Sequence, residues 1–178
     1  YQQKAQINPN SAAIYSNLGS LYAQKQQWQE AINCYQQAIT LNPQLAGVYR
    51  NLARALEKAD QSAEAIKYWY QAYSLEPGSV KAEEHLQLGN AFVKHNQLNE
   101  AITCYRRALE LAPNLAEAYL HLGEILHSKG KLEEAIQYYR KAVQYNSQIA
   151  LHHYRLGFVF TQQKQWQDAI ICYQQAIK

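Results

Sequence analysis

Glu117, His121, Glu124 and His127 follow one another at steps of four, three and three, which places two carboxylates and two imidazoles on one side of a helix. Carboxylate and imidazole at that spacing are donors suited to a divalent metal. The same alternation also makes ordinary ion pairs on a helix surface, and no other stretch supplies a second carboxylate cluster to complete a coordination shell. These residues are therefore read as paired surface groups, and neither a metal nor a cofactor is expected. A nucleophile elbow, a Gly-rich phosphate loop, an HExxH pair and paired catalytic carboxylates are all missing from the sequence. An enzyme is not expected in these residues.

Composition narrows the partners. The net charge is +3 over 178 residues, with the basic residues spread along the chain, so neither nucleic acid nor an anionic membrane is expected. Apolar runs are short and interrupted, which predicts no membrane span. Polarity comes largely from glutamine.

The elements that must position any site follow from a period of 34 residues. Gly19, Ala53, Gly89, Gly123 and Gly157 mark one recurring place, and Pro9, Pro43, Pro77, Pro113 and Ser147 mark another. One step, Ala53 to Gly89, is 36 residues while Pro43 to Pro77 remains 34, which puts two extra residues in the Gly78–Lys81 loop. Within the first copy, Tyr15, Leu18 and Tyr22 form one helical stripe, and Trp28, Ile32, Tyr35 and Ile39 form a second. Ala31 and Ala38 lie beside the second stripe, where small side chains allow close approach. Asp60, Asn96 and Gly130 mark the turn between the two helices, and Pro43, Pro77 and Pro113 stop the second helix.

The pattern predicts an all-α array of antiparallel helix pairs. Residues 1–11 read as the end of a preceding copy's second helix. Complete copies occupy 12–45, 46–79, 82–115 and 116–149, with 80–81 inserted and a shorter fifth copy at 150–178. A start inside a helix, without Met, reads as a fragment of a larger protein. Cys34, Cys104 and Cys172 occupy one equivalent place, 70 and 68 residues apart. Residues two copies apart in a stack do not converge on one ion, so the three are read as packed free thiols, which favours a reducing, cytoplasmic location.

Tyr119, Leu122, Gly123, Leu126, Ala135, Tyr139 and Ala142 carry the fourth copy's signature, and it recurs in register along essentially the whole chain. This signature resembles that of the tetratricopeptide repeat family. Departures are local: Ala53 replaces glycine, His85 and His153 replace an aromatic, Ser62 replaces a bulky residue and Ser147 replaces proline. The two histidines are expected to be packed imidazoles.

The resemblance implies a right-handed superhelical solenoid whose first helices line a concave groove. Carried over, it assigns the groove wall to Asn17, Arg50, Asn51, Arg54, Leu86, Asn90, Leu120, His121, Glu124, Tyr154, Arg155 and Phe158. Arg50, Arg54 and Lys58 share a helix face that suits acidic groups, or else form a solvated face offset by Glu57. Leu86, Val93, Leu120, Tyr154 and Phe158 are expected to make the wall apolar further along. Asn17 and Asn51 resemble two rungs of the asparagine ladder of O-linked N-acetylglucosamine transferases, lapsing afterwards to Gln87, His121 and Arg155. The family's carboxylate clamp is not matched, since Leu86, His121 and Leu151 stand where its side chains are needed.

The function implied is a protein-interaction scaffold that holds an extended peptide or partner segment, with backbone contacts from Asn17, Asn51 and Asn90. Two alternatives remain. One is a structural array that self-associates through the exposed face of its last copy. The other is a substrate-selecting arm of a linked catalytic domain such as a glycosyltransferase.

Overall fold

The computed structural model describes residues 9–178. Among them, α-helices follow one another with no strand: α1 Pro9–Gln24, α2 Trp28–Leu41, α3 Ala46–Lys58, α4 Ser62–Leu75, α5 Ala82–Lys94, α6 Leu98–Leu111, α7 Ala116–Ser128, α8 Leu132–Tyr145, α9 Ala150–Gln162 and α10 Trp166–Ile177. A 3-10 turn at Pro77–Ser79 lies between α4 and α5. None of the described helices is long and apolar enough to cross a membrane.

Each pair folds back through a short turn whose geometry repeats. Gln26, Asp60, Asn96, Gly130 and Lys164 all have positive φ, between 57° and 73°. The residue after each donates its N–H to a carbonyl five residues back, as Gln97 does to Phe92 at 2.9 Å and Lys131 to Leu126 at 3.0 Å. This is the left-handed helix stop, which supplies partners for carbonyls that the helix end leaves open. Asp60, Asn96 and Gly130 are visible in the sequence as residues that tolerate it, whereas Gln26 and Lys164 adopt it without that tolerance. Pro43, Pro77 and Pro113 each stand two residues beyond the end of a second helix, where a ring without an N–H blocks further propagation.

Two compact units divide the chain, one closing at Val80 and one running from Lys81 to Lys178. The division falls in the loop where the period gains its two residues. In the first unit, Ala31, Ile32, Tyr35 and Ala38 of α2 meet Val48, Leu52, Ala55 and Leu56 of α3. Leu52 and Leu56 are fully buried, and each contributes on the order of 2 kcal/mol through the apolar surface it removes from water. The second unit centres on Ile136, Tyr139, Leu156, Val159 and Phe160, with Tyr119 and Leu120 packed in from α7.

α1 begins at Pro9, so residues 9–11, expected to end a preceding copy, lie instead in its first turn. Proline is compatible with that place because the first N–H of a helix has no intrahelical acceptor to reach. Residues 1–8, the rest of that expected segment, lie outside the described residues.

Cys104 and Cys172 are buried, Cys34 is half-buried and all three are free thiols. Burial, reinforced by Glu100, pushes the Cys104 thiol up to about 12. His85 and His153 are buried in their aromatic places. His153 Nε2 donates to the Ser147 carbonyl at 3.1 Å, and one copy earlier the Tyr119 hydroxyl donates to the Pro113 carbonyl at 3.1 Å. The imidazole and the serine thus keep a bond that tyrosine and proline make elsewhere.

Candidate functional site

Small residues on the first helices exist for a contact with the second. A Cβ on Gly19 would lie 2.8 Å from the Tyr35 ring, on Gly89 2.5 Å from Tyr105 and on Gly123 2.6 Å from Tyr139. The ring that fills this gap continues past it, and its tip reaches the residue following the glycine. Tyr35 Oη donates to Ser20 Oγ at 3.2 Å, and Tyr105 Oη donates to Asn90 Oδ1 at 2.7 Å. In the second copy Trp69 takes the ring's place, and Arg54 lies 5.7 Å over it. The packing framework therefore fixes the side chains that line the first-helix face.

In the first unit this face opens into a cleft of about 390 Å³ lined by Ser20, Ala23, Gln24, Trp28, Tyr35, Asn51, Arg54, Ala55 and Lys58. Asn51 and Arg54 are brought together there. Arg50, one turn earlier, pairs with Glu76 at 2.9 Å. Asn17 is exposed on α1 and does not line the cleft.

In the second unit a polar chain links three copies. Asn90 accepts from Tyr105, whose ring stacks on His121 with centroids 5.3 Å apart and planes 22° from parallel. His121 Nδ1 donates to one Glu124 oxygen at 3.0 Å, and Arg155 reaches the other at 2.9 Å. The His121 bond, with the Arg155 charge added, holds the Glu124 carboxyl below its ordinary range although burial pulls it upward. Burial, with Glu124 nearby, pushes the Tyr105 and Tyr139 phenols up, so both stay neutral.

Glu117 stands 3.6 Å from His121 Nε2. His127, the fourth member of the helix-surface run, turns away to donate to Gln162 Oε1 at 2.9 Å. Among the described residues no three His, Cys, Asp or Glu side chains converge as metal donors. Beside Arg155, Tyr154 and Phe158 are 46% and 36% exposed and stack at 6.4 Å, with His127 edge-on to Phe158 at 5.7 Å.

Two expected wall residues are corrected. Leu86 and Leu120 are only 6% and 4% exposed, and Leu120 belongs to the core of its unit. Their place lies at the edge of the packed stripe, where an apolar side chain turns inward, whereas Arg50 and Tyr154 at the equivalent place keep contact with water. Sequence reading also passes over Trp28, Tyr35 and Tyr105, whose rings are explained by packing but whose surfaces or tips reach the candidate sites. The only available signal is the fixed interval of fifteen residues between Ser20 and Tyr35 and between Asn90 and Tyr105.

The profile described as TPR repeat matches residues 19–60, 89–130 and 123–164, and one described as Tetratricopeptide repeat matches residues 153–178. No curated protein matches the chain. Among solved structures, the crystal structure of MamA protein is 22% identical with a TM-score of 0.66, covering 94% of this chain and 90% of that one. YrrB, described as a TPR protein with an unusual peptide-binding site, is 22% identical with a TM-score of 0.65, covering 98% and 88%. PilF of Pseudomonas aeruginosa is 18% identical with a TM-score of 0.60, covering 94% and 76%. At these identities the likeness is one of fold.

Proposed function

The chain belongs to the tetratricopeptide repeat family, and from that premise we propose that it is a protein-interaction scaffold whose first-helix faces hold an extended segment of a partner protein. The observation that carries this reading is the arrangement in the second unit. Exposed Tyr154 and Phe158 lie next to Arg155, whose guanidinium is fixed by Glu124, which His121 fixes in turn. Rigid aromatic and guanidinium groups lose little freedom on binding, and such residues dominate recognition surfaces. YrrB offers a precedent of the same fold with a peptide-binding site.

In the first unit, Asn17 and Asn51 supply amides suited to a peptide backbone, Arg54 supplies charge and Arg50 lies one turn earlier, paired with Glu76; Asn90, held by Tyr105, supplies an amide in the second. The test is capture of partners on the immobilised chain, followed by two variants. Phe158→Ala with Arg155→Ala is expected to weaken a captured partner at least about tenfold, the loss of one or two anchor residues. Asn17→Ala, Asn51→Ala and Asn90→Ala combined are expected to weaken it further. Unchanged affinity in both would overturn the reading.

A second reading rests on α10, where Trp166, Ile170, Ile171 and Ile177 are all exposed. An apolar face of that kind suits self-association, and light scattering that shows a concentration-independent monomer would count against it. The free thiols favour a reducing, cytoplasmic setting.

A further inference from the structure

The cleft of the first unit carries positive charge that its own residues do not cancel. Arg50, Arg54 and Lys58 stand at steps of four along α3. Glu76 pairs with the first, and Glu57, on the same helix but outside the cleft lining, accepts from Trp69 Nε1 at 2.8 Å and keeps its own charge, so that the lining itself holds two cations and no anion. Arg54 and Lys58 make no ion pair among the described residues, and no carboxylate lines the cleft. Like charges one turn apart on a helix repel, and an anion placed between them relieves that repulsion.

The remaining lining divides into donors and an apolar floor. The Gln24 and Asn51 amides make no side-chain hydrogen bond among the described residues and are available to a ligand. Ser20 and Tyr35 are already engaged, Tyr35 donating to Ser20 and Ser20 to the Ser16 carbonyl at 3.0 Å. Trp28, Ala23, Ala55 and the Tyr35 ring form the floor. Arg54 is steadied over the Trp69 ring at the cleft's edge.

We propose that this cleft binds a phosphorylated aromatic side chain, a phosphotyrosine, carried by the partner segment. A single carboxylate cancels one of the two cations, whereas a phosphate ester at neutral pH carries about −1.5 to −2 and offers three acceptor oxygens. Those oxygens match two cations and two amides. The ring of the ligand lies against the apolar floor, and a cleft of about 390 Å³ falls in the size range of small-ligand sites. The assignment deepens the proposed function and rests on it for the peptide, but not for the phosphate.

The test titrates the 178-residue chain with phenyl phosphate, benzoate and inorganic phosphate, following the indole NMR signals of Trp28 and Trp69. Phenyl phosphate is expected to shift both signals and to bind about tenfold tighter than benzoate or inorganic phosphate, reflecting the second charge and the apolar floor. Arg54→Gln with Lys58→Gln is expected to abolish the shift while the circular dichroism spectrum stays unchanged. Benzoate binding as tightly as phenyl phosphate, or no shift at Trp28, would overturn the cleft assignment. A phosphotyrosine peptide is expected to bind more tightly than phenyl phosphate. If it does not, while phenyl phosphate behaves as described, the extended-segment reading fails and the phosphate cleft stands.

Discussion

Gly123 and Tyr139 are packed so closely that a methyl group on the glycine would sit 2.6 Å from the ring's Cε1 carbon. The ring has nowhere to retreat, because Tyr139 is 1% exposed. The same fit joins Gly19 to Tyr35 and Gly89 to Tyr105. The second copy departs from it at both partners, with Ala53 in place of glycine and Trp69 in place of tyrosine. Trp69 swings its indole to Glu57 and supports Arg54, so one paired change converts a packing contact into part of a basic surface.

Glycine-to-alanine substitutions therefore carry opposite signs at two helical places. Gly123→Ala forces a methyl into a closed contact, a cost of about 1–3 kcal/mol, against a gain of about 1 kcal/mol in helix propensity. The expected net effect is a loss of about 1 kcal/mol. Gly47, in the first turn of α3, has nothing within 4 Å of its would-be Cβ. Gly47→Ala is expected to stabilise by about 0.5 kcal/mol through the unfolded chain's lost freedom. Urea denaturation midpoints of the two variants, moving in opposite directions, check this.

The fold was legible because its determinants are local and repeated: glycine against tyrosine, alanines between helices, proline after the second helix of the first three copies. The first-helix face was less so. Whether Leu86 or Leu120 points in or out depends on how an apolar side chain settles at the edge of a stripe, and spacing alone treats them like Tyr154. The contacts of His121 and His127 were hidden for another reason. Their helical spacing suggests one cluster, but the structure sends His127 to Gln162 in the next copy, 35 residues away. Tyr105 was absorbed by the repeat because its ring is packing, although its hydroxyl holds Asn90.

The turns offer a second prediction, since Lys164 holds φ at 61° without glycine's freedom. The left-handed conformation costs an ordinary residue about 1 kcal/mol, part of which glycine gives back as greater freedom in the unfolded chain. Lys164→Gly is expected to stabilise the chain by about 0.5 kcal/mol, and Gly130→Ala, at φ 73°, to destabilise it by about 1 kcal/mol. Thermal unfolding of both variants tests the pair. A loss in Lys164→Gly would mean that the lysine side chain contributes more than its backbone strain costs.

Glu124 ties the second unit's polar chain to pH. His121 donates to its carboxylate at 3.0 Å, and Arg155 stands at 2.9 Å on the other oxygen. Both favour the charged form, so the folded group titrates below the ordinary 4.5 even though burial opposes this. A depressed carboxyl stabilises the fold fully above the unfolded value, and that contribution disappears as pH falls through the lower, folded value. Glu117 and Arg155 also face His121 and Glu124 and contribute to the local field, so the measurement must be differential. Glu124→Gln keeps the shape and removes the charge. The stability gap between wild type and Glu124→Gln is expected to narrow as pH falls below 4.5 and the wild-type carboxyl takes up its proton. Urea midpoints across that range read the gap directly, and a gap that stays constant below 4.5 would show that the His121 and Arg155 contacts do not bias the ionisation of Glu124.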